Sequence, residues 1–364
     1  MADYLTTDTE LTSVANAIRT KGGTSASLVY PTGFVSAIEA IPTGGGGGID
    51  EFLETNFTSA YENLTATVIG TGKFAYQESM TGANFPACTE IGKSAFALCK
   101  MLSAISFPLC TTIGASAFVS CVALTSVSFQ ECTEIGSGAF MSCSNITTAS
   151  FPKCISVYMN AFSFCTKLST IYFPSCTKID YQGFGYCSSL KTVNFSLCET
   201  IGSYAFTWCR DLSDVTFPVC TTISGNAFYY CSSLQTISFP VCTSIGSNAF
   251  VCCRDLTEAN FPKCTRIDSY AFSSCGALAT GSFPSCTSIG SSAFLRCYKL
   301  VSLYLMGSSV AKLLHSNVFS STPIAGYTTS TGGVYGSIYV PSSLLTAYQS
   351  STNWTYFSAR MVGV

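Results

Sequence analysis

A 22-residue pattern recurs through most of the chain, and its constant length constrains the fold more than any other feature. One copy reads Ile113-Gly-x-x-Ala-Phe-x-x-Cys-x-x-Leu-x-x-Val-x-Phe-x-x-Cys-x-x, and the next begins at Ile135. The pattern starts eleven times without an insertion, at Ile69, Ile91, Ile113, Ile135, Val157, Ile179, Ile201, Ile223, Ile245, Ile267 and Ile289. A unit of fixed length that recurs without a break stacks on its neighbours, so the sequence predicts a solenoid.

The hydrophobic period changes once within each repeat. In one copy, apolar residues recur at i, i+1, i+4 and i+7, which predicts about two helical turns: Ala117, Phe118, Cys121 and Leu124. The spacing then alternates through Val127 and Phe129, as in a half-buried strand. We therefore expect an α/β repeat solenoid, with a parallel β-sheet on one face and short helices on the other.

Twenty of the 21 cysteines occupy two positions of the repeat, and only Cys252 is out of register. Equivalent positions of stacked strands lie about 4.7–4.9 Å apart, so each set forms a file of thiols. Disulfides between neighbouring cysteines of a file would join the repeats in pairs, and the repeats would no longer be equivalent. Reduced cysteine, in contrast, is a small residue that is often fully buried. We expect buried free thiols. Zinc is not expected, because paired C-x-x-C motifs are missing and the single histidine, His315, lies outside the array.

The charge composition argues against several classes of partner. Only 10% of the residues are charged and the net charge is -2, whereas nucleic-acid binding requires clustered Lys and Arg. The N-terminus combines neither a basic start nor an apolar stretch, so no secretory signal is predicted. Apolar runs are too short to cross a bilayer. The sequence predicts no nucleic-acid partner and no membrane insertion.

The repeat pattern and the composition divide the chain into segments. Residues 1–43 are predicted to be a helical leader for anchoring or oligomerisation, since Thr7-x-x-Glu10 has the form of a capping box. Residues 44–48 are a flexible glycine linker. We expect an N-terminal cap over 49–68, the repeat array over 69–305 and a C-terminal cap over 306–364, because the ends of a solenoid need atypical repeats to cover the core.

The repeat resembles a known family. The segment from Leu124 to Ile135 reads L-x-x-V-x-F-x-x-C-x-x-I, which is similar to the leucine-rich repeat with Cys at its Asn/Cys position. Together with the Ala-Phe-x-x-Cys-x-x-Leu half, it resembles the BspA-like branch of leucine-rich repeat proteins. The tail, residues 338–354, resembles the end cap of that family. The resemblance implies a binding or adhesion scaffold with no catalytic residues and no cofactor.

The leader carries a second resemblance. Residues 10–24 read Glu-Leu-Thr-Ser-Val-Ala-Asn-Ala-Ile-Arg-Thr-Lys-Gly-Gly-Thr, and Tyr30-Pro-x-Gly-Phe-Val-x-Ala-Ile follows. This segment is similar to N-terminal segments of structural proteins from phages and prophages of gut Firmicutes. It implies attachment to a virion or self-assembly through residues 1–43, and a homo-oligomer is one form of that assembly.

The outward positions of the predicted strands are mostly Ser and Thr, which tolerate close stacking on an exposed parallel sheet. Close stacking alone therefore accounts for the row of Ser and Thr side chains, and no ligand is needed to explain it. Larger polar side chains break the row in the middle repeats, and we predict a ligand-binding patch there, called the strand-face patch: Tyr172, Lys191, Asn194, Asp214, Gln235, Glu258 and Asn260.

The eighth repeat position is aromatic in four successive copies: Phe164, Tyr186, Trp208 and Tyr230. Helical projection places this aromatic file about 90° from the centre of the core face, so we expect half-exposed rings that stack as a ladder. Two interpretations stay open. The rings pack the edges of neighbouring repeats, or they form a flat platform for a sugar or a partner, since rigid rings gain contact area at small entropic cost.

These features predict a non-enzymatic binding protein. One histidine cannot complete a Ser-His-Asp or Cys-His set across scattered carboxylates. The leading hypothesis is a phage or prophage virion protein, tail or fibre associated, that binds a host-surface glycan or protein. The alternatives are a BspA-like adhesin on the bacterial cell surface and an intracellular interaction scaffold.

Overall fold

The structure is a computed structural model that describes residues 60–328, 330 and 332–364. The predicted leader, the glycine linker and most of the predicted N-terminal cap lie outside the described residues. The described chain winds through successive coils, each with two short strands, a long connection made of turns and a second, short connection. Equivalent residues of neighbouring coils pair in parallel at a 22-residue register, such as Val127 opposite Ala149. The predicted repeat solenoid with a parallel sheet is confirmed.

The longest sheet is a two-residue ladder formed where each repeat begins. Its twelve strands pair in chain order: Val68–Ile69, Glu90–Ile91, Thr112–Ile113, Glu134–Ile135, Ser156–Val157, Lys178–Ile179, Thr200–Ile201, Thr222–Ile223, Ser244–Ile245, Arg266–Ile267, Ser288–Ile289 and Lys312–Leu313. The second residue of every strand is buried. Neighbouring coils approach each other closely directly after these strands. A Cβ on Gly136 would lie only 2.5 Å from the Ala115 nitrogen of the preceding coil. The repeat pattern had not predicted this ladder.

The predicted strands form a three-residue ladder on another side. Its members are Gly82–Asn84, Ala104–Ser106, Ser126–Ser128, Thr148–Ser150, Thr170–Tyr172, Thr192–Asn194, Asp214–Thr216, Thr236–Ser238, Glu258–Asn260, Thr280–Ser282 and Ser302–Tyr304. Tyr61–Glu62 extends it at one end, and Ser337–Val340 and Met361–Gly363 extend it at the other. Hydrogen bonding divides the ladder into four sheets. In the strands from Ala104–Ser106 to Ser302–Tyr304, the middle residue packs towards the core and its neighbours lie on the outward side. In Met361–Gly363 the first residue is the buried one.

The predicted short helices are wrong. The long connection of each coil, residues 114–125 in the repeat that begins at Ile113, consists of hydrogen-bonded turns, and we call the surface that these connections form the turn face. Alternate N–H groups bond within and between coils. The Ala117 N–H donates to the Gly114 carbonyl of the same coil at 3.2 Å, and the Phe118 N–H donates to Ala139 of the next coil at 2.7 Å. Every second donor thus stitches neighbouring coils together, which an α-helix cannot do because its N–H groups bond internally.

Two positions of each turn segment have a left-handed backbone. The fourth repeat position is Ser116 (φ 55°) in one coil and Asn160 (φ 56°) in another. The eighth position is also left-handed, and it includes the whole aromatic file: Phe164 (φ 62°), Tyr186 (φ 62°), Trp208 (φ 59°) and Tyr230 (φ 61°). Bulky residues rarely adopt this conformation. These backbone reversals give the segment its curvature in place of helical turns.

Phenylalanines and cysteines fill the core in parallel files. Phe118 and Phe140 stack with their centroids 5.2 Å apart, and Phe129 of the second file lies 6.1 Å from Phe140. All 21 cysteines are free and buried, including the 20 of the two files that were predicted to be buried free thiols. The Cys143 thiol donates to the Phe118 carbonyl at 3.0 Å, and the Cys154 thiol donates to Ser156 at 3.1 Å. Both thiol files therefore also satisfy main-chain acceptors inside the solenoid.

The C-terminal end of the core is closed by short helices. They comprise 3-10 helices at Ser316–Phe319, Pro323–Ala325, Ser342–Leu344 and Thr355–Arg360, and an α-helix at Leu345–Ser350. The buried Trp354 indole donates from Nε1 to the Ala311 carbonyl at 2.6 Å, and the Ala311 N–H donates to the Tyr348 hydroxyl at 3.0 Å. These two aromatic side chains satisfy the backbone of the last coil and cover its apolar end.

Candidate binding surfaces

The strand-face patch lies on the outward side of the three-residue ladder, across five successive coils. Each coil fixes its side chains through the buried residue between them, as Val193 does between Thr192 and Asn194. All seven members are exposed: Tyr172, Lys191, Asn194, Asp214, Gln235, Glu258 and Asn260. They occupy three adjacent files of the ladder, so the structure brings them onto one surface.

The patch combines cationic, anionic and amide groups on a rigid backbone. Asp214 Oδ1 accepts a hydrogen bond from the Thr236 hydroxyl at 2.7 Å, which orients that carboxylate along the ladder. Lys191 supplies donors, while Asn194 and Asn260 supply both donors and acceptors. This mixture suits a polar ligand such as a polyol or an exposed peptide backbone.

The sequence pattern did not single out an aromatic pair near the C-terminal end of the same face. Tyr304 and Tyr339 stack with ring centroids 4.5 Å apart and planes 11° apart. They are opposite each other in parallel strands, yet they lie 35 residues apart because the chain between them departs from the repeat length. The 22-residue register could place Tyr304 outward, but it could not identify its partner.

The aromatic file stacks on the turn face and is half-buried, in agreement with the predicted ladder. Phe164 and Tyr186 have centroids 4.4 Å apart, and Trp208 and Tyr230 have centroids 4.3 Å apart. The Tyr186–Trp208 step is wider, at 6.4 Å. Because neighbouring rings face each other, their edges account for much of the surface that the file presents.

Two polar side chains accompany the aromatic file. The Arg210 guanidinium carbon lies 4.7 Å from the centre of the Trp208 ring, within range of a cation–π interaction. Cys252 follows Tyr230 at the eighth repeat position, and a hydrogen bond between these side chains raises the pKa of Tyr230. Cys252, the cysteine out of register, therefore terminates the aromatic file.

The thiol files provide no nucleophile. Burial raises the pKa of Cys143 and of Cys220 to about 12, and that of Cys176 to about 11. The thiolate is the reactive form of cysteine, so a protonated thiol in an apolar core is inert. The cysteines of these files are structural.

Within residues 60–328, 330 and 332–364, no three His, Cys, Asp or Glu side chains converge in a group that could hold a metal ion. In the same part of the chain, none of the helices has the length and apolar character that a bilayer crossing requires.

Solved structures of bacterial leucine-rich repeat proteins resemble this chain. A leucine-rich cell surface protein from Faecalibacterium prausnitzii is 24% identical, with a TM-score of 0.41, over 70% of this chain and 87% of that one. A leucine-rich repeat protein from Bacteroides ovatus is 20% identical, with a TM-score of 0.38, over 70% of this chain and 94% of that one. No curated protein matches the chain.

Comparison with protein families gives a match over most of the chain. The BspA type leucine-rich repeat region matches residues 67–191 and 199–325, in six copies. The matched residues include most of those that build the two ladders and the turn face described above. The chain therefore belongs to the BspA-type leucine-rich repeat family.

Proposed function

We propose that the chain is a non-enzymatic adhesion protein that recognises a host-surface protein or glycan through the strand-face patch. The observation that carries this proposal is the departure of seven exposed side chains from the Ser/Thr row within five successive coils. A parallel ladder that needs only close stacking is satisfied by Ser and Thr. Larger polar groups add nothing to that stacking, whereas they supply the hydrogen bonds and charges of a recognition surface.

The rigidity of the ladder supports this role. At the centre of the patch the backbone is hydrogen-bonded on both sides, since the strand at Asp214 pairs with those at Thr192 and Thr236. A preformed surface loses less conformational entropy when it binds, so more of the contact energy appears as affinity.

A cell-binding assay with the full-length chain tests the patch. Substituting Asn194→Ala, Asp214→Ala and Glu258→Ala together should reduce binding to host cells or to a glycan array at least tenfold, with an unchanged melting temperature. The matched control changes three outward serines of the same ladder, Ser128→Ala, Ser150→Ala and Ser282→Ala, and should bind normally. Equal binding by the patch variant and the control would exclude the patch.

The aromatic file is a second candidate surface, supported by its four stacked, half-buried rings. Trp208→Ala combined with Tyr186→Ala separates its two interpretations. An unchanged melting temperature with lost binding supports a platform. A lower melting temperature with intact binding shows that the rings only pack neighbouring coils.

On the basis of the leader sequence, we propose that the protein is a tail- or fibre-associated component of a phage or prophage virion. The alternative is a protein of the bacterial cell surface. Deletion of residues 1–48 should then abolish oligomerisation or attachment to particles while leaving the melting temperature of the array unchanged. A full-length protein that is monomeric and absent from purified particles would contradict the virion assignment.

A further inference from the structure

The C-terminal quarter of the chain contains no acidic side chain. Residues 269–364 include Arg296, Lys299, Lys312 and Arg360, but no Asp or Glu. All 19 acidic residues therefore lie in residues 1–268, together with 13 of the 17 basic ones. A chain with a net charge of -2 thus has a cationic end, and the field there favours anions.

A cleft opens in this cationic end among three 3-10 helices. Its volume is about 480 Å³, which is within the usual range for sites of small organic ligands. The buried side chains of Ile324 and Phe357 contribute an apolar floor. Ser316, Asn317, Ser320, Tyr356 and Arg360 add polar groups to the wall, and none of the lining residues is acidic.

Arg360 supplies the charge of the cleft. Its guanidinium carbon lies 3.8 Å from the centre of the Tyr335 ring, a cation–π contact that restrains the side chain. In the part of the chain that the structure describes, no carboxylate forms an ion pair with this guanidinium. The planar group therefore keeps paired N–H donors available, and these match the two oxygens of a carboxylate.

Asn317 adds neutral donors with a fixed orientation. Its Oδ1 accepts hydrogen bonds from the Ser291 hydroxyl and from the Ser292 N–H, both at 3.1 Å. These two bonds occupy the carbonyl side of the amide and leave its NH2 donors for a ligand in the cleft. The hydroxyls of Ser316 and Ser320 can each donate or accept one more hydrogen bond, which suits the hydroxyl groups of a sugar.

We propose that this cleft binds an acidic sugar, with the carboxylate on Arg360 and Asn317 and the hydroxyl groups on the two serines. The exposed Tyr356 ring and the apolar floor provide contact for the C–H groups of the sugar ring. The site lies outside the strand-face patch and the aromatic file, so the inference does not rest on the proposed adhesion.

Calorimetric titration of the full-length protein tests this inference with a matched pair of sugars. Glucuronate and glucose differ only at the sixth carbon, which bears a carboxylate in the first and a hydroxymethyl group in the second. Glucuronate should bind saturably, glucose at least tenfold more weakly, and acetate and inorganic phosphate more weakly than glucuronate. Equal binding of both sugars, no binding of glucuronate, or tighter binding of phosphate would overturn the proposal.

Two variants locate the site. Asn317→Asp keeps an oxygen for Ser291 and Ser292 but replaces the free donors with a second carboxylate oxygen, so it should fold normally and lose glucuronate binding at least tenfold. Arg360→Gln should show a similar loss. Lys312→Gln removes an equal charge from the same cationic end outside the cleft and should retain binding. Unchanged affinity in the Asn317 and Arg360 variants, or an equal loss in the Lys312 control, would contradict the assignment.

Discussion

Single residues of the turn segments hold a backbone conformation that their side chains disfavour. The fourth repeat position contains Gly138, Asn160, Asn226 and Asn248, which are residue types that tolerate a left-handed backbone. The eighth position contains none of these types in any copy, although its φ is equally positive. The sequence therefore carried a signal for one reversal of the chain and none for the other.

Glycine at the eighth position should stabilise the protein. Ser142→Gly at φ 61° removes the steric conflict of Cβ, and we expect the free energy of unfolding to rise by about 0.5–1 kcal/mol in urea titration. Ser144→Gly, two residues along the same turn segment, lacks this benefit and should lower it by about 0.5–1 kcal/mol. A loss of stability in both variants would contradict the role assigned to the left-handed backbone.

At the scale of elements, the spacing of apolar residues identified which side chains face the core but not the backbone that carries them. Ala117, Phe118, Cys121 and Leu124 are all buried, as a helix would place them. The turn segment buries the same set while its alternate N–H groups bond to the next coil. Hydrogen bonds between repeats leave no mark in the periodicity of one repeat, so the helix was a wrong prediction with a correct core.

The phenylalanine files should dominate the stability of each coil. Phe140 stacks between Phe118 and Phe162 at 5.2 Å on both sides. Phe140→Ala should lower the free energy of unfolding by about 3–5 kcal/mol, because a cavity is left in a packed core. Tyr172→Ala, on the exposed strand face, should change it by less than about 0.5 kcal/mol. Urea titration measures both, and comparable losses would show that the patch is structural.

At the scale of the whole molecule, the core could be predicted because the same apolar positions recur in every repeat and equivalent positions of stacked repeats must contact each other. Cysteines and phenylalanines at fixed positions had to stack, and the structure places them in buried files. The candidate surfaces were less accessible to sequence reasoning. The cleft at the cationic end combines residues from the atypical cap, such as Asn317 and Arg360, which share no register with the array.

The buried thiols should make the molecule sensitive to alkaline pH. Burial raises the pKa of Cys110 to about 12 and that of Cys242 to about 11, whereas a thiol in the unfolded chain has a pKa of about 8.5. Above about pH 8.5 the unfolded state therefore binds fewer protons than the native state, and stability falls as pH rises. Each thiol contributes a slope of up to about 1.4 kcal/mol per pH unit.

Urea titration under reducing conditions should show constant stability below about pH 8 and a steep loss between about pH 8.5 and 9.5, before most tyrosines ionise. Replacing Cys143 and Cys165 by Ala should make this slope shallower. Stability that is independent of pH up to 9.5 would mean that the thiols are not protonated in the core.

We assign recognition to the exposed side chains of this protein because its cysteine thiols, the most abundant reactive groups, are buried in the core. Alkylation with iodoacetamide, counted by mass spectrometry on the native full-length protein, tests that claim most directly. The 20 cysteines of the two files should remain unmodified in the native protein, and all 21 should react after denaturation without reductant. Rapid modification of file cysteines in the native state, or disulfides that leave them unreactive after denaturation, would contradict it.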